Sequence, residues 1–551
     1  MKKIFIAGIA FLYLSCTKSS GPPLNTTPFN VKSFTVNGDF QGNIYTNLKN
    51  INLRFIFTGG TIDKNSVNTS VSLKTFGGLN VPLNYSYDND STLNVVPNGN
   101  LTPLTGYRFE ISTAFKSQQN TALQNPVAIN LYTSIDSTDK FPQITDSALL
   151  DLVEQQTFKY FYDFGHPVSG MARERNSDAQ TVTTGGSGFG LMALIVGVKR
   201  NFITRAQALT RIDTIVNFLT TKAHRYHGAF PHWMDGTTGA TIPFSTQDDG
   251  ADLVETSYMM QGLLTARQFF NTADPNEVTL RNNINNLWNA VEWNWFRQNG
   301  QNVLYWHWSP DFNFIINQQV SGWDEAMIVY ALAASSAIDS NRIPKIVYDN
   351  GWALNGNMKN GKSFYGIPLP LGPNYGGPLF FAHYSFLGIN PNNLADAYAN
   401  YWTQDTAHSM INYTYCVTNP QHFNGYSNAC WGLTASDEQG GYSAHSPTND
   451  DGVISPTAAI SSLPYTPAQS LNALHFFYYK LGDKIWGQYG FTDAFNLTNV
   501  WFANSYLAID QGPEIIMIEN YRSGLLWNLF MSCPEIKTGM KTLGFQSPNL
   551  N

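Results

Sequence analysis

The chain has 551 residues, beyond the roughly 100–200 of one ordinary domain, so two or more folding units or one large architecture are expected. Hydrophobic residues make up 43%, charged residues 13% and aromatics 14%, a balance that excludes a disordered chain. With 32 basic against 39 acidic residues the net charge is −7, so no basic surplus exists to neutralise a phosphate backbone and nucleic acid is not an expected partner. Aromatic-rich, charge-poor surfaces suit neutral, hydroxyl-covered ligands such as sugars.

The N-terminus opens Met1-Lys2-Lys3 and continues in an apolar run from Ile4 to Leu14, 11 residues long. Spanning a bilayer takes about 20 apolar residues, so the run reads as a signal-peptide core. It ends Leu12-Tyr13-Leu14-Ser15-Cys16, which resembles the lipobox of bacterial lipoproteins and makes Cys16 the expected lipidation site. Residues 1–16 are thus an expected signal peptide and residues 17–28, rich in Ser, Pro, Gly and Thr, a flexible tether. The protein is expected to be exported and lipid-anchored to a bacterial membrane, in the periplasm or at the cell surface. It reads as a monomer, touching the membrane only through that anchor.

Residues 29–135 are strand-like. Val31–Val36, Ile51–Phe57, Val71–Leu73, Leu93–Val96, Tyr107–Ile111 and Ala128–Tyr132 alternate apolar with polar residues between Gly, Asn and Asp clusters. About seven strands in an antiparallel sandwich are expected. The runs Asp63–Asn68 and Leu104–Phe109 resemble bacterial immunoglobulin-like modules, which imply a spacer or platform.

After Pro142 the apolar period becomes helical, with helices expected at Ser147–Phe164, Gly190–Val198, Thr204–Lys222, Ala251–Asn271, Asn276–Arg297, Gly322–Ile338, Ile343–Asp349, Asn393–Val417, Thr466–Leu481 and Gly512–Met531. Antiparallel helix pairs in this number, joined by long Gly- and Asn-rich loops, fit an (α/α)6 toroid over residues 143–548. A two-lobed helical bundle is the alternative. Of the cysteines after Cys16, Cys416 and Cys430 would close a 13-residue loop and are the candidate disulfide. No clustered Cys/His spacing suggests a zinc site, and neither metal nor cofactor is expected.

Acidic residues are scarce, so their clusters carry information. In Gln247-Asp248-Asp249-Gly250-Ala251-Asp252-Leu253-Val254-Glu255 the spacing puts Asp248, Asp252 and Glu255 on one face of a helix. Capping accounts for one or two acids at a helix start, but not for a third two turns in. The second cluster, Gly322-Trp323-Asp324-Glu325, precedes an apolar helix and follows the aromatic loop Tyr305-Trp306-His307-Trp308. A carboxyl beside Trp and Met is partly desolvated, which raises its pKa and suits Glu325 to stay protonated as a general acid. Trp306, Trp308 and Trp323 are candidate sugar-stacking rings. His383 and Tyr384 read as an aromatic wall or as core, and Asp437 as a ligand contact. Glu519 and Arg522, three apart, read as a ligand-contacting pair or an intrahelical salt bridge. Two carboxyls flanking a bond, one protonated and one ionised, are the minimal machinery of glycoside hydrolysis.

These stretches together resemble a known family. Gly322-Trp323-Asp324-Glu325, the run Gly376–Gly388, Trp431–Asp437 and Ile509–Trp527 are similar to the glucoamylase-like domain of glycoside hydrolase family 144, the endo-β-1,2-glucanases, in the right order over about Leu149–Phe545. The resemblance implies an (α/α)6 barrel and a metal-independent, anomer-inverting enzyme that cuts linear β-1,2-glucan to sophorose and short sophorooligosaccharides. It places the essential acids on Asp248, Asp252, Glu255 and Glu325, with Glu325 as general acid and Asp248 as general base. Exo-acting release of sophorose and transglycosylation stay open within the family. Glu438 departs from the pattern, where a small residue or Pro is expected.

Three other readings compete. Asp248 to Asp252 fits the DDxxD motif of magnesium-dependent prenyl-diphosphate enzymes, but no second metal motif or basic diphosphate clamp accompanies it. A polysaccharide lyase would need cationic neutralisers that this acidic chain lacks. A catalytically silent glycan-binding lipoprotein would leave the carboxylates unexplained.

Overall fold

The computed structural model describes residues 27–40, 42 and 44–551. Cys16, the signal peptide and nearly all of the tether lie outside these residues. The chain divides into two compact units, the first ending at Ser134 and the second running from Ile135 to Asn551.

The first unit is built from nine strands: β1 (Asn30–Val36), β2 (Ile44–Leu48), β3 (Leu53–Thr58), β4 (Val71–Thr75), β5 (Asn80–Val81), β6 (Leu83–Asn89), β7 (Thr92–Pro97), β8 (Gly106–Ile111) and β9 (Val127–Thr133). One sheet runs β1-β3-β7-β6 and the other β2-β9-β8-β4-β5. All pairs are antiparallel except β2 with β9. The alternation in Leu53-Arg54-Phe55-Ile56-Phe57 turns Leu53, Phe55 and Phe57 inward, and Phe55 stacks on Phe109 of the other sheet with ring centres 5.3 Å apart.

The second unit is helical. Its helices of six residues or more, among the described residues, are α1 (Asp146–Tyr162), α2 (Thr184–Lys199), α3 (Arg205–Thr221), α4 (Leu253–Phe269), α5 (Pro275–Asn289), α6 (Met327–Ser335), α7 (Tyr401–Thr418), α8 (Pro456–Ser461), α9 (Pro467–His475), α10 (Ala508–Ser523), α11 (Leu525–Met531) and α12 (Pro534–Leu543). Caps fix several starts. Thr204 and Gln207 form a reciprocal capping box on α3, and Thr145, Asp274 and Asn400 each accept a first-turn N–H. The expected helix through Gly512–Met531 instead starts at Ala508 and breaks at Gly524, whose φ of 67° no helix interior tolerates. None of the helices among the described residues is long and apolar enough to cross a membrane.

Helices α2 and α4 are buried along most of their length. A Cβ on Gly188 would stand 2.2 Å from the Tyr258 carbonyl oxygen, and one on Gly262 would stand 2.1 Å from that of Gly188. The two backbones therefore touch directly. Neither glycine is needed for its own conformation, since both are helical; each is needed because no side chain fits between the helices.

The expected disulfide is absent. Cys416, in the last turns of α7, and Cys430, at the end of the Ser427–Cys430 turn, are both free and fully buried. They serve as small apolar side chains.

Gly262→Ala is expected to lower stability by about 3 kcal/mol, because it forces the two backbones apart. Urea unfolding followed by circular dichroism measures this, and a loss below about 1 kcal/mol would show that the helices separate freely.

Candidate active site

Asp248, Asp252 and Glu255 do not share a helix face. The helix begins only at Leu253, so Asp252 is its N-cap in extended conformation and accepts the Glu255 N–H at 2.9 Å. Asp248 lies in the preceding turn, where its N–H donates to Ser245 O at 3.0 Å. The three acids are nevertheless brought together by what surrounds them. Ala251-Asp252 pairs antiparallel with His307-Trp308, with Asp252 opposite His307. His307 Nε2 lies 3.3 Å from Asp248 Oδ2 and 3.8 Å from Asp252 Oδ2. On the other side His232 Nδ1 meets Asp252 Oδ2 at 3.0 Å. Glu255 Oε2 accepts the Gly185 N–H, in the first turn of α2, at 2.7 Å.

Glu325 stands just before α6 and is held through its backbone. Its carbonyl accepts from the hydroxyls of Ser385 and, at 3.4 Å, Tyr258, while Asp324 Oδ1 caps the Ala326 N–H at 2.8 Å. Phe189, Tyr258 and Tyr384 pack with ring centres 5.3–5.7 Å apart beneath these groups.

Burial dominates the electrostatics. It pushes the Asp248 carboxyl up to about 7, with Asp252 and Asp249 adding repulsion and His232 opposing. It also lifts Glu325 to about 7, where the backbone hydrogen bond opposes and the charges of Asp252 and Glu255 add to the rise. Glu255 is raised by burial, against the pull of His232. Burial acts the same way on Asp252, but the His232 hydrogen bond and the neighbouring imidazoles outweigh it and hold Asp252 down. Burial would lower His232, yet Glu255, Asp252 and Asp248 together raise it to about 9. Burial and the charge on His232 lower His307, against the pull of Asp252, so of the two imidazoles His232 is the one favoured to carry the counter-charge. Nearest-atom distances within 4.8 Å would let Asp248, Asp252 and His307 close on a cation, but the His232–Asp252 ion pair already supplies a positive charge there.

A second acid group faces the same aromatic floor. The Asp437 N–H donates to Asp493 Oδ2 at 2.6 Å, its carboxylate meets Arg175 at 3.3 Å, and Ser505 donates to it at 2.6 Å. Burial raises both Asp493, to about 7, and Asp510 at the start of α10, and each acts electrostatically on the other. The Tyr384 hydroxyl, raised first by burial, feels Asp510 and Tyr442 from this group and Glu325 and Glu255 from the other. Tyr442, half exposed, lies opposite Asp437 in the hairpin formed by Ala435–Glu438 and Gly441–Ala444.

The structure thus brings Glu325, Asp248, Asp252 and Glu255 into one neighbourhood with Trp306 and Trp308, both half-buried beside His307 and Asp252. Asp437 and Tyr384 belong to the adjoining group. Four expected ligand contacts lie elsewhere. Trp323 is buried against Phe386 and Tyr401. His383 is buried against Ser462 at 3.0 Å, and burial drives its pKa down to about 3, so it is a neutral core residue. Glu519 pairs with Arg200 of the α2 C-cap at 2.6 Å, and Arg522 with Asp151 and Glu154 of α1, both at 2.6 Å. These two residues tie three helices together and form no intrahelical bridge. Reading the sequence missed His232, His307 as a partner of the acids, Arg175 and Asp493. His232 and His307 each sit in an aromatic run, Phe230–Trp233 and Tyr305–Trp308, which is the signal that marks them; Asp493 has none.

Comparison with known proteins supplies the family. The family model described as "Putative glucoamylase" matches residues 317–534. A Bacteroides uniformis protein of the same description, known from its crystal structure, is 56% identical, with a TM-score of 0.73 over 75% of this chain and 100% of its own. The endo-β-1,2-glucanase of Chitinophaga pinensis, solved with sophorotriose and glucose, is 51% identical, with a TM-score of 0.72 over 74% of this chain and 100% of its own. An exo β-1,2-glucooligosaccharide sophorohydrolase acting at the non-reducing end, from Parabacteroides distasonis, is 44% identical over 422 residues, 73% of this chain. The chain spans 58% of that relative's length.

Arg522→Ala is expected to cost about 3 kcal/mol of stability by removing the nearer of buried Glu154's two guanidinium partners, Arg200 at 3.4 Å being the other, measured by urea unfolding. The His232 imidazole is expected to titrate near pH 9 by NMR and to fall back toward 6.5 in Asp252→Asn, since the variant removes a carboxylate that favours the charged ring. A His232 that titrates unchanged in the variant would separate it from Asp252.

Proposed function

The chain belongs to the glucoamylase-like glycoside hydrolases of family 144, and from that premise we propose that it hydrolyses β-1,2-glucosidic bonds in linear β-1,2-glucan. The helical unit is read as an (α/α)6 toroid, the reaction as endo-acting with inversion, and the products as sophorose and short sophorooligosaccharides. The observation that carries the reading is the pair of desolvated carboxyls, Glu325 and Asp248, each poised near 7 around an Asp252 held ionised by His232.

In the proposed reaction Glu325 gives its proton to the glycosidic oxygen as the C1–O bond breaks. Asp248 takes a proton from a water that attacks C1 from the opposite face, so the configuration inverts. The principal charges acting on Glu325 are Asp252 and Glu255, and those on Asp248 are Asp252, His232 and Asp249. Trp306 and Trp308 would stack on sugar rings, and Asp252 and Glu255 would hold the water and the sugar.

A second assignment of the base rests on Asp510, whose charge acts on the Tyr384 hydroxyl together with that of Glu325 and whose carboxyl is raised by burial beside Asp493. Asp510 would then activate the water from the other side of the floor. We also read the protein as an exported monomer, lipid-anchored through Cys16, with β-glucan as its partner.

The soluble form lacking residues before Thr17 is expected to release mixed β-1,2-oligosaccharides that appear first as the α-anomer by NMR, and to leave starch, β-1,3-glucan and cellulose intact. Sophorose alone from the outset would make it exo-acting. Glu325→Gln is expected to lose about a thousandfold in turnover with saccharide binding kept. The profile of kcat/KM against pH should be a narrow bell near 7, falling at higher pH as Glu325 loses its proton and at lower pH as Asp248 gains one. Asp248→Asn and Asp510→Asn decide the base, since only loss of the true one should abolish hydrolysis and be rescued by azide, which attacks C1 from the water's face and leaves an α-glucosyl azide as the aglycone departs.

A further inference from the structure

The hairpin that carries Asp437 and Tyr442 ends in residues for which the reaction has no use. His445 follows its second strand and is completely buried, with its backbone N–H bonded to Thr434 O at 3.1 Å. Neither ring nitrogen has a hydrogen-bond partner. A buried imidazole left so is costly, and such groups call for an explanation. Its Nε2 stands 3.9 Å from Glu438 Oε2, too far for a hydrogen bond. The carboxylate of Asp451 completes the group, and the three donor atoms all lie within 4.8 Å of one another. They surround a common point rather than pairing, as ligands do around an ion whose bonds are about 2.0–2.2 Å long.

The backbone that presents them is fixed. Asn449 Nδ2 donates to Ser443 Oγ at 3.1 Å and to Ala444 O at 3.0 Å, and Asn496 Nδ2 holds Asp451 O at 2.9 Å. Asp450, next in the chain, is engaged elsewhere by the Tyr426 hydroxyl at 2.7 Å and the Gly452 N–H at 3.0 Å. Glu438 is half-buried and Asp451 exposed, so the carboxylates can close on an ion while the histidine stays put.

We propose that Glu438, His445 and Asp451 form a binding site for a divalent transition-metal ion of the zinc class. One imidazole and two carboxylates suit zinc or manganese; calcium, which takes oxygen ligands, is disfavoured by the histidine. Three protein ligands leave a position for water. The ion would staple the hairpin to the 446–451 loop and so fix Tyr442 and Asp437 against Asp493 and Asp510. Its role is structural, and no step of the glucan chemistry passes through it.

Zinc chloride is titrated calorimetrically into the chelator-treated soluble form, and cobalt absorption reports the ligand set. Wild type is expected to bind zinc and to melt at higher temperature with it. Glu438→Gln and Asp451→Asn, at a half-buried and an exposed position that leave folding intact, should each lower zinc affinity at least tenfold and remove most of the thermal shift. Absence of zinc binding in wild type, or unchanged affinity in both variants, would overturn the site. So would binding that is lost in Asp248→Asn but kept in Glu438→Gln, which would place the ion at the Asp248, Asp252 and His307 group instead.

Discussion

The direct contact of two helix backbones at Gly188 and Gly262 is the constraint on which the site depends. Because α2 and α4 touch without intervening side chains, the first turn of one reaches the first turn of the other, and the Gly185 N–H lands on Glu255. Glu255 is thereby tied to α2 as well as to its own helix, and Asp252 caps the same end of α4. Asp510 occupies the first turn of α10, whose Gly512 lies against Phe189 of α2. Acids from several helix starts thus face one floor of Phe189, Tyr258 and Tyr384. Helix N-termini favour negative charge by up to about 1 kcal/mol each at exposed sites, so backbone dipoles offset part of the repulsion that crowding creates.

Dipoles alone do not keep such a group ionised once water is removed. The site holds one cation of consequence, His232, and its proton is retained because three carboxylates share it. Asp252, in direct contact, stays ionised, whereas Asp248 and Glu325, without such a bond, drift to about 7. Chemically similar groups a few residues apart thus have their pKa values pushed in opposite directions by burial and by their nearest partners. Low charge content serves this arrangement. The guanidinium groups near the buried acids are spent on ties, Arg200 and Arg522 between helices and Arg175 on Asp437, and the acids around Glu325 are left without one.

The four central acids were legible because carboxylates are rare in this chain and these precede apolar runs. Their arrangement was not. The pattern of spacings by four and three that suggested a shared helix face is equally the pattern of a loop acid, an N-cap and an N3 residue, and only the Asp252 hydrogen bond to Glu255 distinguishes them. Glu519 and Arg522 resembled a local pair because spacing is visible, while their true partners stand 319 and 368 residues away and are not. His383 and Trp323 carried the residue types of a sugar site but were claimed by the core. The strands of the first unit were readable from alternation, although Ile44–Leu48, Asn80–Val81 and Leu83–Asn89 were missed. The helix-packing glycines gave no signal at all, since Gly in a helix ordinarily reads as a weakness.

The acids do not decide where along a polymer a cut falls. In the proposed reaction, proton transfer at Glu325 needs a glycosidic oxygen within reach and is indifferent to whether the chain continues beyond the sugars bound there. Endo and exo action differ in whether the cleft admits a chain at both ends, and that is set by the loops at its edge. Among relatives that share this fold and are 44% and 51% identical to the chain, one is named for exo and the other for endo action. Such a difference cannot lie in the helical frame, whose packing tolerates little change. Segments free to differ include the hairpin carrying Tyr442, the turn carrying Phe244, whose ring lies tilted 4.5 Å from that of His232 while remaining half exposed, and the part of the exo-named relative that this chain does not span. In the proposed reaction, sugar-sized apolar faces at these positions would leave the chemistry intact and change only which part of a glucan chain can lie across it.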